Sequence, residues 1–224
     1  KLLDGLDEVD FPPRVRLEQE NWIGRSYGAE IDFKLSGKED ILTVYTTRPD
    51  TIYGVTYMAI APEHPILEKY KDEISNYNEI MEYKKNAAKK TEFERVELAK
   101  NKTGVKVEGL QIENPVTGKV VPLWVTDYVM MGYGTGAIMA VPGHDTRDYE
   151  FAKKFGIDII QVVANKKGEE VSLENEAYLD IEDGILVNSD ILDGLSVKEA
   201  KEKIINFLEE RKIGRRKKNY HMKD

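Results

Sequence analysis

Apolar and polar positions alternate over six short stretches, 29–35, 41–47, 55–61, 105–110, 120–125 and 137–141, most of them bounded by turn-forming residues. A period of two is that of a half-buried strand, because successive side chains of an extended chain point to opposite faces. A period near 3.6 replaces it over 65–90, 146–154 and 197–212, which predicts three helices. The last has the clearest boundaries. Ser196 is placed to cap it with Glu199 as reciprocal partner three residues on, and Gly214, just past a Lys/Arg-rich end, suits the left-handed closing position. Strands outnumber helices and do not alternate with them one for one, so the pattern favours an antiparallel α+β or barrel-like domain over a doubly wound parallel sheet. The stretch 164–193, rich in Asn, Glu, Asp and Gly, reads as surface loops and short strands.

Composition narrows the function classes. Of 224 residues, 41% are hydrophobic and 9% aromatic, enough for a core that removes roughly 70% of the unfolded surface from water without a disulfide or metal staple. The absence of cysteine excludes a thiol nucleophile and any Cys-ligated metal or cluster. With 33 Lys plus Arg against 41 Asp plus Glu, the net charge of −8 opposes indiscriminate polyanion binding. Nucleic-acid contact would need local basic patches. Two exist: Lys84, Lys85, Lys89 and Lys90, and the run Arg211, Lys212, Arg215, Arg216, Lys217 and Lys218. Solvated helix faces and tails are the competing explanation of both. No apolar run approaches the ~20 residues that span a bilayer, so a soluble, cytoplasmic protein without membrane contact is expected. The chain opens without Met, and both ends read as pieces of something larger.

Three segments imitate catalytic motifs. Gly24-Arg25-Ser26-Tyr27-Gly28 fits the nucleophile-elbow pattern, but an alternating strand follows where that motif needs a helix. Gly132-Tyr133-Gly134-Thr135-Gly136-Ala137 fits a dinucleotide fingerprint, yet Pro142 arrives too soon for the required helix, and the glycines more plausibly let a loop pass close to another backbone or a ligand. His144-Asp145-Thr146-Arg147-Asp148 resembles a metal cluster, but neither His64 nor His221 has a ligand-like neighbourhood, and no metal or other cofactor is expected. Its structural alternative is a helix start, with Asp145 as cap and Asp148 as capping-box carboxylate.

A further stretch, Thr43-Val44-Tyr45-Thr46-Thr47-Arg48-Pro49-Asp50-Thr51, runs from a strand into a proline turn. Two motifs in order, Thr46-Thr47-Arg48-Pro49-Asp50-Thr51 and the run from Gly134 through Ala140-Val141-Pro142-Gly143-His144-Asp145-Thr146-Arg147-Asp148 to Phe151, resemble the editing domain inserted in bacterial-type leucyl-tRNA synthetases. The likeness covers nearly the whole chain, with Trp22-Ile23-Gly24-Arg25-Ser26 and Asn219-Tyr220-His221-Met222-Lys223-Asp224 resembling the segments that lead out of and back into the synthetic domain. Family members often have Leu-Arg where Met222-Lys223 stand. It implies a predominantly β, antiparallel barrel-like α+β fold with peripheral helices, divided into a linker strand (1–28), the editing domain (29–214) and a returning linker strand (215–224).

The resemblance also implies an activity: hydrolysis of the ester joining a wrong amino acid to the terminal adenosine of leucine tRNA. The partners would be that mischarged tRNA and the rest of the parent synthetase in cis, and the domain would be a monomer without ATP chemistry. On this reading Asp148 anchors the α-ammonium and Thr51 excludes leucine. Thr46 and Thr47 position the attacking water or stabilise the oxyanion, with no protein general base evident. Arg48 either holds a terminal phosphate or organises the bend. Tyr133, Met139 and Val141 line the amino-acid or adenosine pocket unless they are simply core, and Asp145 and His144 contribute to the site or to structure. A non-catalytic tRNA-docking module is the rival reading, and a free-standing editing protein acting in trans is a third.

Overall fold

The computed structural model describes residues 9–10, 12–15, 25–96, 102–132 and 134–220. Trp22, Tyr133 and His221, all part of the expectations above, lie outside the described residues. The strands are β1 (Arg25–Leu35), β2 (Ile41–Thr46), β3 (Tyr57–Ile60), β4 (Gly104–Glu113), β5 (Val120–Thr126), β6 (Ala137–Ala140), the short pair β7 (Val163–Ala164) and β8 (Ile185–Leu186), and β9 (Gly214–Tyr220). The helices are α1 (Ile66–Lys69), α2 (Tyr77–Ala87), α3 (Glu92–Val96), α4 (Thr146–Phe155) and α5 (Val197–Glu210), with 3-10 turns at Pro49–Gly54 and Asp190–Leu192.

The main sheet runs β2-β1-β4-β5-β3-β6, and β9 adds to the half of β1 that β4 leaves free. All its pairings are antiparallel except β3 with β5. This overturns the expected barrel-like, predominantly β fold. A closed barrel gives every strand two partners, whereas β2 and β6 end the path and no ladder joins them among the described residues. Helical segments also occupy about as many residues as strands, so the domain is α+β with an open, mixed sheet. The excess helix was illegible in the pattern because pieces such as α1, α3 and the 3-10 turns are too short to display a 3.6 period.

The expected helix over 65–90 is two helices, α1 and α2. Asn76 separates them: its side chain donates to the Lys106 carbonyl at 2.8 Å and accepts from the Glu108 N–H at 3.1 Å, docking the turn on the irregular middle of β4. The Ser196–Glu199 capping box opens α5 as expected. Its close differs: the left-handed residue is Lys212 (φ 56°), with Ile213 N–H donating to the Leu208 carbonyl, and Gly214 instead starts β9. Within the terminal basic run, Arg215 pairs with Glu30 and Asp32, Arg216 with Glu202, and Lys217 with Glu30, so much of its charge is spent inside the domain. In the other patch, Lys90 pairs with Asp127. No helix among the described residues is long and apolar enough to cross a membrane.

Two apolar clusters fix the frame. The larger includes the inward faces of β1 and β2, β3–β5 and α5. The smaller is aromatic: Tyr57, Trp124, Tyr128 and Phe151, with Phe155 against them. Phe151 is fully buried, stacked on Tyr57 at 5.2 Å and edge-on to Trp124 at 5.2 Å, so it clamps α4 onto β3 and β5. Burying such a ring contributes about 1.5–3 kcal/mol, and each aromatic pair about 0.5–1.5 kcal/mol more.

Candidate active site

Two chain segments converge on one cleft. The first is the end of β2 and the 3-10 turn behind it. Pro49 fixes φ at the first position of that turn, where its missing N–H costs nothing. Thr46 Oγ1 accepts from the Arg48 N–H at 3.0 Å, and Thr51 Oγ1 donates to the Arg48 carbonyl at 2.9 Å, so two threonines brace one residue from either side. The Arg48 guanidinium turns back on Asp50, donating from Nε at 3.0 Å and from an Nη at 2.6 Å. Asp50 is fully buried. These contacts tie Arg48 into the bend. Gly28 lets β1 lie against the bend, since a Cβ there would meet the Thr46 carbonyl oxygen at 2.1 Å.

The second segment is the end of β6 and the start of α4. Asp145 caps the helix, its Oδ1 accepting from the N–H groups of Arg147 at 2.8 Å and Asp148 at 3.0 Å. Asp148 does not complete a capping box. Its Oδ2 accepts from the Val141 N–H at 2.9 Å, turning the carboxyl away from the helix cap toward β6 and the cleft. Only 6% of Asp148 is exposed. Burial, reinforced by the nearby Asp145 charge, pushes its carboxyl up to about 8, against the opposing pull of the Val141 N–H, Arg147 and the Tyr57 hydroxyl.

Thr46, Thr47, Arg48, Thr51, Met139, Val141, His144, Asp145 and Asp148 all line this one cleft of about 320 Å³. The sequence singled out each of them; Tyr133 alone of that set is outside the described residues. Tyr45, Ile138, Arg147 and Ile181 line it too and were missed. Arg147 sat within a quoted motif. Ile181 offered no usable signal, because it comes from the polar 164–193 stretch that read as surface, although Ala164, Leu186 and Leu192 there are buried.

His144 has no nitrogen free for proton transfer. Nε2 accepts from the N–H groups of Val162 and Val163, both at 3.0 Å, which leaves Nδ1 to donate to the Tyr178 carbonyl at 2.9 Å. Burial holds its pKa below the usual value, so the ring is a neutral brace between the cleft and the 162–178 segment. The loop before β6 turns at Gly136, whose φ of 72° suits glycine and whose Cβ would strike the Met131 sulfur at 2.3 Å. Among the described residues, no group of His, Asp and Glu is arranged to hold a metal ion.

A buried carboxyl group and a threonine-lined bend thus line one cleft. Sequence comparison names the class. The family described as leucyl-tRNA synthetase, editing domain, matches residues 20–209, and the chain belongs to it. It is 55% identical over its full length to the leucine–tRNA ligase of Alkaliphilus oremlandii and 50% identical to that of Elusimicrobium minutum, spanning 27% and 26% of those proteins. The chain therefore covers about a quarter of the length of the curated relatives it matches. Among solved structures, a chain in the ternary complex of Agrobacterium radiobacter K84 agnB2 LeuRS with tRNA and LeuAMS superposes with a TM-score of 0.72 at 32% identity, over 99% of this chain and 24% of that one.

Proposed function

We propose that the chain hydrolyses the ester linking a non-cognate amino acid, such as norvaline or isoleucine, to the terminal adenosine of leucine tRNA. It would do so as one part of a longer leucyl-tRNA synthetase. A synthetic site separates side chains differing by a methylene by only about 1–3 kcal/mol, so a second selection step is needed. The observation that carries the reading is that Thr51 and Asp148 face one cleft from separate segments.

Asp148 binds the α-ammonium through a charge-assisted hydrogen bond worth about 1.5–3 kcal/mol. Its carboxyl is raised to about 8, so at pH 7 ammonium binding must first expel a proton, a cost of about 1.4 kcal/mol per unit. The bound cation then favours the carboxylate, and the burial that raised the pKa keeps water from competing. Thr51, 2% exposed and held by its bond to the Arg48 carbonyl, presents a fixed methyl where the branched end of leucine would fall. Isoleucine has the same volume but branches elsewhere, so shape decides. Met139 and Val141 form the apolar wall beside it, and Asp145, with one oxygen on the helix cap, completes the polar rim.

An aminoacyl ester is already activated, so water suffices as nucleophile. Thr46, whose hydroxyl hydrogen is not used by its bond from Arg48, and the exposed Thr47 orient that water or meet the developing oxyanion, with assistance from the free ribose hydroxyl. His144 takes no proton, both nitrogens being committed.

The test is a single-turnover assay with the chain in excess over isoleucyl- or norvalyl-tRNA specific for leucine, following release of the amino acid. Release is expected from the wild type and a loss of at least 100-fold from Asp148→Ala, with the fold retained. Binding without release from the wild type would mark a docking module instead, and undiminished release from the variant would remove Asp148 from its role.

A further inference from the structure

Beneath Asp148 lie two buried tyrosine hydroxyls that the hydrolysis described above does not use. Tyr57 on β3 is fully buried and Tyr128, just past β5, is 5% exposed; both belong to the aromatic cluster that clamps α4. Their hydroxyls are 3.0 Å apart, and the Tyr57 hydroxyl is 3.5 Å from the Asp148 carbonyl oxygen. An apolar cluster packs as well with phenylalanine, and a buried hydroxyl without a partner is costly, so two hydroxyls here call for a reason.

Counting hydrogens gives the direction of the chain. The two hydroxyls carry two hydrogens, one of which is used between them. The other acceptors within reach of the pair among the described residues belong to Asp148, its carbonyl oxygen at 3.5 Å and the carboxyl whose ionised form the Tyr57 hydroxyl favours, both on the Tyr57 side. If Tyr57 donated to Tyr128, the Tyr128 hydrogen would have no acceptor there. Both hydrogens are satisfied only when Tyr128 donates to Tyr57 and Tyr57 donates to Asp148.

The geometry points to Tyr128 and Tyr57 as a hydroxyl relay that positions Asp148, fixing the first turn of α4 from below and directing the positive end of an O–H dipole at the residue that receives the substrate ammonium. This rests on the role given to Asp148 above. Burial and the neighbouring Asp148 charge hold both phenols well above their ordinary values, so they remain neutral donors at any working pH. The other groups facing Asp148 are Asp145 and Arg147 at its own helix start and the Val141 N–H from the end of β6. The Arg48–Asp50 ion pair stands on the other arm, and the neutral His144 ring lies between Val141 and Asp145 on the same arm. Of these, only the relay belongs to the aromatic cluster.

The experiment is a carboxyl-carbon NMR titration of the full chain labelled at aspartate, with Asp148 assigned by its disappearance in Asp148→Asn. Tyr57→Phe keeps the ring on Phe151 and removes the terminal donor, so the Asp148 midpoint is expected to rise by about 0.5–1 pH unit. Tyr128→Phe, acting through Tyr57, should raise it by less, and other aspartates should not move. No shift in either variant, or a larger one from Tyr128→Phe, overturns the relay. The readout needs no activity, so failure of the chain to hydrolyse any ester would count against the proposed function alone. With hydrolysis present, Tyr57→Phe should slow it several-fold at pH 7 and recover near pH 9, whereas a merely structural hydroxyl would lower the rate equally at every pH.

Discussion

Two buried carboxylates flank the cleft, and they are opposites. Asp50, in the 3-10 turn, is fully buried and has the Arg48 guanidinium bound side-on at 2.6–3.2 Å. Asp148, at the start of α4, is buried almost as deeply, but its closest polar partner is a backbone N–H, and its ionised form is correspondingly disfavoured. A carboxylate that already owns a cation holds shape. One that lacks a cation is destabilised until a ligand brings one. The first builds the wall that carries Thr51; the second, on the proposed function, is the binding group.

The comparison can be broken from either side. Asp50→Ala leaves a mostly buried guanidinium without its counter-ion and should cost about 3–5 kcal/mol, read as a large drop in the denaturant midpoint together with loss of any leucine discrimination. Asp148→Asn should do the reverse to stability. The folded state holds a proton on Asp148 up to about pH 8, whereas the unfolded chain releases it near pH 4, so wild-type stability falls as pH rises between those values. Asparagine keeps an acceptor for the Val141 N–H without the charge. The variant should therefore match the wild type near pH 4 and exceed it by several kcal/mol at pH 8, while losing hydrolysis. Equal pH dependence in the two proteins would show that Asp148 is not a strained carboxylate. The smallest effect lies outside the cleft and serves as a control: Lys212→Gly relieves a left-handed residue at the close of α5, stabilising by about 0.5–1 kcal/mol without altering hydrolysis.

What the sequence made legible follows the range of the interactions involved. Six strands emerged from alternation, and the starts of α4 and α5 from their caps, because these are local codes. Both arms of the cleft were visible through resemblance of their motifs. The open sheet was not, since closure depends on a hydrogen-bonded ladder between β2 and β6, and none joins them among the described residues. Nor was the orientation of Asp148. Capping geometry assigned its carboxyl to the helix start, and a tertiary contact, the Val141 N–H seven residues earlier, claims it instead. Tyr57 and Tyr128 are 71 residues apart and read as ordinary core, so a hydroxyl pair between them has no sequence signature. Ile181 reaches the cleft from a stretch whose polar composition concealed a buried anchor on β7 and β8.

The central claim is that one cleft holds both the anchor for the ammonium and the barrier to leucine, and Thr51→Ala tests it most directly. Removing the methyl and hydroxyl leaves Asp148 untouched, so in single-turnover assays with leucyl- and norvalyl-tRNA the variant should hydrolyse the leucyl ester about 10–100-fold faster than the wild type while norvalyl release changes little. A variant that still spares the leucyl ester while clearing the norvalyl ester would contradict the account.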